Sequence, residues 1–478
     1  MKRHIISVSC GLVLFGCGTV GPDYQAPTAD LTTQFSAHPA TQTLNGATMA
    51  WWAQLNDPLL SAFIQQGAAQ NLDVKAALER ITAANASLGG VGVNAQTDGG
   101  LAASVQRARN DSSIQTTKNL QFNGQYVIDL FGGFARGREQ ALANYDAAQL
   151  DVGTARLAYL SDLTNSYLQA RYFQAAAAIT RQTVTSRRKT LSLVQQRRDM
   201  NEATELELQQ ARSLLAAAEA PLPVLVANFE SNVYHIATLL AAPADPILAR
   251  MQAGSGQPRP NGAMTIGTPA DLLRNRPDVR FAERNLAAAT AAVGVAESQL
   301  YPSLSLQGTV GTGSTDYWQF GPSLSLPVFN RGFLRSRKMV ALSRAREAEI
   351  GWRKSVLVAV EDVQSASSLY QSWNRQLQFL ERAANASQTV LDLSQQSYRE
   401  AAITLTDVLD AERQNASNQL AVADAARNYA ITWMRLQVAT GKGWAAESLV
   451  SPAETQAADL TADPLGVRNA VIAANAQP

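Results

Sequence analysis

The heptapeptide DVLDAER at residues 407–413 sets Asp407 and Asp410 three apart, with Arg413 three further on. On a helix that spacing puts all three side chains on one face. Two carboxylates so placed can act as an acid/base pair, as a charged constriction in a pore, or as acidic decoration of a helix N-terminus. Catalysis finds little support. Aspartates at this separation point the same way, whereas carboxylates that cleave a glycosidic bond flank their substrate from two sides. The three histidines, His4, His38 and His235, are far apart and signal neither a metal cluster nor a Ser-His-Asp arrangement. TGKGW at 440–444 has a Gly-Lys pair without the spacing or preceding strand of a phosphate-binding loop. The sequence does not read as an enzyme, and no cofactor or metal is expected.

The elements that must position these residues begin after an export signal. MKRHIISVSCGLVLFGC starts with Lys2 and Arg3, continues through an apolar stretch to Phe15, and places small Gly16 before Cys17. It is too short to be a stable membrane span. LFGC resembles the lipobox of bacterial lipoproteins, which implies cleavage before Cys17 and a covalent N-acyl and S-diacylglycerol lipid on that residue. The plainer reading is an ordinary signal that happens to contain cysteine. If Cys10 leaves with the signal and Cys17 is acylated, the mature chain keeps no cysteine for a disulfide, zinc cluster or thiol nucleophile. By the same resemblance to bacterial lipoproteins, an Asp after the cysteine would argue for inner-membrane retention, and Gly18 in that place implies the outer membrane. Only 17% of the 478 residues are charged and the formal net charge is +1, so no nucleic-acid surface is indicated. No later stretch is apolar for about 18 residues, so any membrane crossing must be made by strands.

Shifting the chain by roughly 200 residues aligns it with itself. DVKAALERITAANA (73–86) answers to DVRFAERNLAAATA (278–291), FARGREQA (134–141) to FLRSRKMV (333–340), and LVQQRRDMNEATELELQQAR (193–212) to LSQQSYREAAITLTDVLDAER (393–413). The division expected is a signal peptide at 1–16, a lipidated extended segment at 17–56, a first repeat at 57–242, a linker at 243–268, a second repeat at 269–441 and a tail at 442–478. Each repeat has an Ala-rich helix (57–92, 269–299), two strands (about 100–130, 303–329) and a long helical hairpin. In the first copy Leu120, Phe122, Tyr126, Ile128 and Leu130 alternate with Asn119, Gln121, Asn123, Gln125 and Asp129. In the second, Leu304, Leu306 and Val310 alternate with Ser303, Ser305, Gln307 and Thr309. Period two with one greasy and one polar face suits a membrane barrel. A half-buried sheet in a soluble sandwich would share the pattern but would bring more strands. Pro322 and Pro327 are expected at strand ends or bulges, and NDSSIQTTK and TGSTD as polar turns. Tyr301, Tyr317, Trp318, Phe320 and Phe329 suit an interfacial girdle or packing within a collar.

Four strands cannot close a barrel, which starts at eight, so two or three chains must pool theirs. Residues 134–200 and 333–400 read as helices of roughly 100 Å at 1.5 Å per residue. In the second copy Val356, Ala359, Val363, Ala366, Tyr370, Trp373, Leu377, Leu380, Ala384, Ser387 and Leu391 form a heptad seam. Return helices are expected at 203–241 and 403–440, the first interrupted by APLP at 220–223. TLTD (404–407) and TELE (204–207) have the form of capping boxes, which accounts for Asp407 and Glu207 and leaves Asp410 less well explained.

VGPDYQAP behind Cys17, WWAQLNDPLL (51–60), NLDVKAALERI (71–81), LLRNRPDVRFAERNLAAA (272–289), YPSLSL (301–306) and LDAER (409–413) resemble, in order and spacing, the TolC-like outer-membrane efflux factors of the OprM/NodT lipoprotein type. The resemblance covers nearly all of the mature chain, to about Trp444. It implies a mixed α and β membrane protein: a homotrimer with a 12-stranded β-barrel, four strands per chain, continued by a long α-helical coiled-coil periplasmic tunnel. It implies outer-membrane lipid around the barrel, a periplasmic membrane-fusion adaptor and an inner-membrane pump of the resistance-nodulation-division (RND) type as partners, and passive exit of drugs or other small molecules. The alternatives are the exit duct of a type I protein secretion system or a non-channel structural lipoprotein. By the same resemblance Asp407 and Asp410 project into a closed periplasmic mouth, Glu207 matches an acid of the first copy, and Tyr398 helps close the helix coils. Rings of carboxylates favour cations and, by crowding, raise apparent pKa values. Ile403 stands where the TolC branch has a tethering Arg, and Thr406 where the lipoprotein branch has a constricting Leu, so the lock here is looser or differently built.

Overall fold

The computed structural model describes residues 18–29, 31–32, 35, 46–110, 113–254, 256–261, 266–313, 315–400 and 402–449. The expected signal at 1–16, the lipid-bearing Cys17 and residues 450–478 of the expected tail lie outside the described residues. Two compact units are assembled from interleaved stretches, the first from Met1–Thr28, Arg80–Gln149 and Phe281–Lys354, the second from Ala29–Glu79, Leu150–Arg280 and Ser355–Pro478.

The first unit contains one antiparallel sheet in the order β1 (Thr97–Asn110), β2 (Ser113–Ile128), β3 (Ser303–Thr312), β4 (Tyr317–Ser325). Register explains its two faces. Leu101 pairs with Phe122, Phe122 with Val310, and Val310 with Trp318, so one exposed apolar row crosses all four strands. One step along, Gly100, Asn123, Thr309 and Gln319 make a row on the other face. There Thr309 Oγ1 donates to Asn123 Oδ1 at 3.1 Å and the Tyr317 hydroxyl donates to Gln121 Oε1 at 3.1 Å. An apolar face for lipid and a hydrogen-bonded polar face for water is the division a membrane barrel requires. Trp318 and Phe320 share the apolar face, whereas Tyr317 belongs to the polar one.

Two strand expectations need correction. Pro322 lies inside β4, opposite Leu306, rather than at an end or bulge. A proline is tolerated there because β4 is an edge strand of this sheet, with alternate amides outside the ladder. NDSSIQTTK is mostly strand, since Ser113–Lys118 pair with Val105–Asn110. Its alternating polar residues satisfy period two as well as a turn would.

The first helical stretch is likewise divided, into α1 (Pro58–Gln70), α2 (Leu72–Gly89) and the short α3 (Val93–Gln96). Asn71 makes the first break, because its Oδ1 accepts from the amides of Asp73 and Val74 at 3.0 and 3.1 Å and starts α2 afresh. Two very long helices follow the strand pairs: α4 (Gly133–Asp199) with 67 residues and α10 (Arg331–Arg399) with 69. α5 (Glu205–Glu219) and α6 (Leu222–Leu239) flank Pro221, as the missing proline amide leads one to expect. α7 (Ala244–Gln252) forms within the stretch assigned as linker, because Ile247 and Met251, one turn apart, bury a stripe. α8 (Pro269–Asn275) and α9 (Pro277–Ser298) replace the single helix expected at 269–299, with Arg276 extended before Pro277. α11 (Leu405–Ala439) is one uninterrupted return helix.

In the second unit the heptad seam is the packed one. Val356, Ala359, Val363, Ala366, Leu377, Ser387 and Leu391 are buried on α10, and Leu377 packs with Ala425 and Ala426 of α11. Trp51 and Trp52 are core, edge-on to each other at 5.7 Å, and Trp51 meets Trp433 at 5.8 Å while its indole N–H donates to the Lys442 carbonyl at 3.2 Å. Asp57 caps α1 through the amides of Leu59 and Leu60 and accepts the Tyr167 hydroxyl at 2.6 Å, and Arg171 in turn donates to that hydroxyl. A buried carboxylate and a buried guanidinium are thus joined through one phenol, which removes the cost of leaving either unpaired.

Candidate functional site

The residues singled out from sequence lie at the turns joining α4 to α5 and α10 to α11. Both turns close alike. The Glu202 amide donates to the Arg197 carbonyl at 2.7 Å and the Ala402 amide to the Ser397 carbonyl at 2.9 Å, a six-to-one bond that ends a helix tightly. Each return helix then opens with a reciprocal cap. Thr204 donates its amide to Glu207 Oε2 at 2.6 Å, and Thr404 donates its amide and hydroxyl to Asp407 Oδ2 at 2.9 and 2.6 Å. The capping boxes read from TELE and TLTD are formed.

Helical periodicity separates α11 into two faces. Leu405, Val408 and Leu409 are buried with Val194, Leu208, Ala211 and Tyr398 in one apolar cluster. Thr406, Asp407 and Asp410 are exposed on other sides of the helix. Asp410 is ion-paired to Arg413, both more than half exposed, which supplies the explanation that capping alone did not. Asp407 and Asp410 therefore share the first turns of α11 with Thr406, while Glu207 belongs to the matching cap of α5.

Thr404 holds the Asp407 carboxyl below the usual aspartate range through its side-chain and backbone hydrogen bonds. That direction is opposite to the one expected from carboxylate crowding, which requires neighbouring copies of the chain. Tyr398 is 3% exposed, and the Arg197 guanidinium lies 4.8 Å from its ring centroid. Its hydroxyl has no hydrogen-bond partner among the described residues. Burial pushes that hydroxyl up, with Arg197 opposing.

Sequence reasoning missed a polar cluster one turn deeper. Glu412 is 2% exposed, and its Oε1 accepts from Ser186 Oγ at 3.0 Å and Thr190 Oγ1 at 2.8 Å, both on α4. A signal was there to be read: Glu412 falls in register with Leu405, Val408 and Leu409, where an apolar residue would be the default.

The second feature is the strap that follows Cys17. The Val20 amide donates to the Phe131 carbonyl at 3.1 Å, and Arg136, 3% exposed, grips the Val20 carbonyl at 3.1 Å and Asp23 at 2.6 Å. Tyr24 donates its hydroxyl to Glu283 at 2.8 Å under the Arg284 guanidinium. Burial and Glu283 together push the Tyr24 hydroxyl well above its ordinary range.

A four-stranded sheet with one apolar and one polar face, together with two long helical hairpins, defines the fold class of trimeric outer-membrane channels with a helical periplasmic portion. The model of the family "Outer membrane efflux protein" matches residues 63–241 and 268–442. Nodulation protein T of Rhizobium leguminosarum bv. viciae is 36% identical over 461 residues, which covers 93% of this chain and 94% of that protein. The pyoverdine export outer membrane protein OpmQ of Pseudomonas putida is 30% identical over 485 residues, 94% of this chain and 99% of that one. The solved outer-membrane channel OprN superposes with a TM-score of 0.81 at 30% identity, covering 89% of this chain and 99% of that chain. The chain belongs to the outer membrane efflux protein family. It is the outer-membrane channel component of an efflux pump, located in the outer membrane with a large periplasmic part.

Proposed function

We propose that this channel is the passive exit duct of a tripartite pump for small organic molecules, closed at the tips of its two helical hairpins by a constriction that includes Asp407, Asp410, Glu207, Tyr398 and Thr406. The observation that carries the gate is the two-faced start of α11, with an apolar side packed with Tyr398 and Leu208 and an exposed side bearing Thr406, Asp407 and Asp410, whose contacts are local ones to Thr404 and Arg413. Three copies of the chain multiply that exposed acidic side into rings, which bind and pass cations in preference to anions. The small-molecule cargo is supported by the pyoverdine that OpmQ is named for. A homotrimer of the chain works with a periplasmic adaptor and an RND-type inner-membrane pump, a reading supported by its membership of the outer membrane efflux protein family.

Each copy repeats helix, strand pair, long helix and return helix, which supports the division into repeats at 57–242 and 269–441 around a short connecting segment. Lipidation of Cys17 is supported by the strap, whose first fastened residue, Val20, lies three positions on. A short tether suits an anchor held beside a membrane sheet.

The gate is tested by the reversal potential of the reconstituted trimer across a salt gradient. The native channel is expected to favour cations, and Asp407→Asn/Asp410→Asn to lose most of that preference. An anion-selective native channel, or an unchanged preference in the variant, contradicts the acidic gate.

A further inference from the structure

Buried charge between packed helices is costly unless it is matched. Glu412 of α11 and Arg187 of α4 are 2% and 9% exposed, and each is matched incompletely. Glu412 Oε1 takes the Ser186 and Thr190 hydroxyls, while its Oε2 is buried without a hydrogen-bond partner among the described residues. Arg187 donates an Nη1–H to the Leu214 carbonyl of α5, and its Nε is likewise buried and unpartnered among the described residues. The two side chains attract each other electrostatically without forming an ion pair, and Arg413, one residue beyond Glu412, repels Arg187. Ser186 also accepts from Gln395 Nε2 of α10 at 3.1 Å, so three helices meet at one hydroxyl.

We propose that Glu412 is the positioning residue of the channel mouth: its hydrogen bonds to Ser186 and Thr190 set the rotation of α11 and thereby the direction in which Asp407 and Asp410 project. The inference rests on the reading of the α10–α11 tip as the gate. Its physical basis is the rigidity of a helix. Glu412 and Asp410 are two residues, or about 200°, apart around α11, so pinning the buried side fixes the exposed side. The two orphaned atoms supply a second arrangement. A displacement of α11 that carries Glu412 Oε2 to Arg187 Nε exchanges two hydroxyl bonds for an ion pair, and it moves the aspartates with it.

The test is single-channel recording of the full-length reconstituted trimer with Glu412→Leu and with Glu412→Leu/Arg187→Leu, beside Asp407→Asn/Asp410→Asn. Glu412→Leu leaves the buried Arg187 without the opposing charge of Glu412 and is expected to lower the thermal stability of the trimer and to abolish its lowest conductance level. Removing both charges is expected to restore stability, as apolar replacement of a buried pair does, while the lowest level stays lost. Return of that level together with stability overturns the proposal, because Glu412 is then only a packing residue. So does native conductance in both Glu412 variants; if the aspartate variant is altered in the same experiment, the gate reading survives that failure. Altered conductance in the Glu412 pair with native behaviour in the aspartate variant refutes the aspartates as the constriction, and with them the proposal that Glu412 acts by directing them.

Discussion

Asp407 does two things at once: it ends a capping box and stands on the exposed side of α11. Its carboxyl is lowered by Thr404, so the cap's contribution is complete above the ordinary aspartate pKa, about 3.9, and disappears as pH falls through the lowered value. Thr404→Val removes the hydroxyl that bonds Oδ2. The pH at which channel selectivity is lost should therefore move upward in that variant; an unmoved titration would separate selectivity from Asp407. Spacing alone made the capping residues legible, because Thr-x-x-Asp and Thr-x-x-Glu are local grammar. The partner of Asp410 could also be read, three residues on in Arg413. Ser186, Arg187 and Thr190 could not, since they lie more than 220 residues from Glu412 and only the packing of α4 on α11 brings them together.

At the level of elements, the long helices and alternating strands were plain from periodicity, which integrates over many residues. The breaks were not. Asn71 splits a helix through a side-chain cap and a further bond from Nδ2 to the Leu239 carbonyl at 2.9 Å, a contact with no sequence signature. α7 owes its place to a carbonyl, that of Met251, which receives Arg171 Nη1 at 3.1 Å and Gln174 Nε2 at 3.2 Å. The tryptophan cluster at the end of α11 has the opposite character: three large side chains, all buried, close the second unit's core. Trp51→Ala should cost about 3–5 kcal/mol and lower the temperature at which purified trimers lose their helical circular dichroism. A melting curve unchanged from the native one would show that the cluster is dispensable.

The whole molecule is defined by what one chain leaves unfinished. Among the described residues no helix is long and apolar enough to cross a membrane. The sheet instead offers an apolar face and two unpaired edges, on β1 and β4, which in lipid must be covered by other copies. The four strands per chain and the need for pooling followed from the sequence by counting; the choice of three chains did not, and came only with the family. In the proposed gate the exposed acids at the start of α11 depend on assembly in the same way, because one chain supplies a pair and three copies a ring. The measurement that bears most directly on this account is the single-channel conductance of the purified trimer in planar bilayers, native against Asp407→Asn/Asp410→Asn. A small conductance that grows in the variant is the predicted result. Equal conductance in the two would place the constriction away from DVLDAER, and no conductance in either would contradict the channel with a gate at its helix tips.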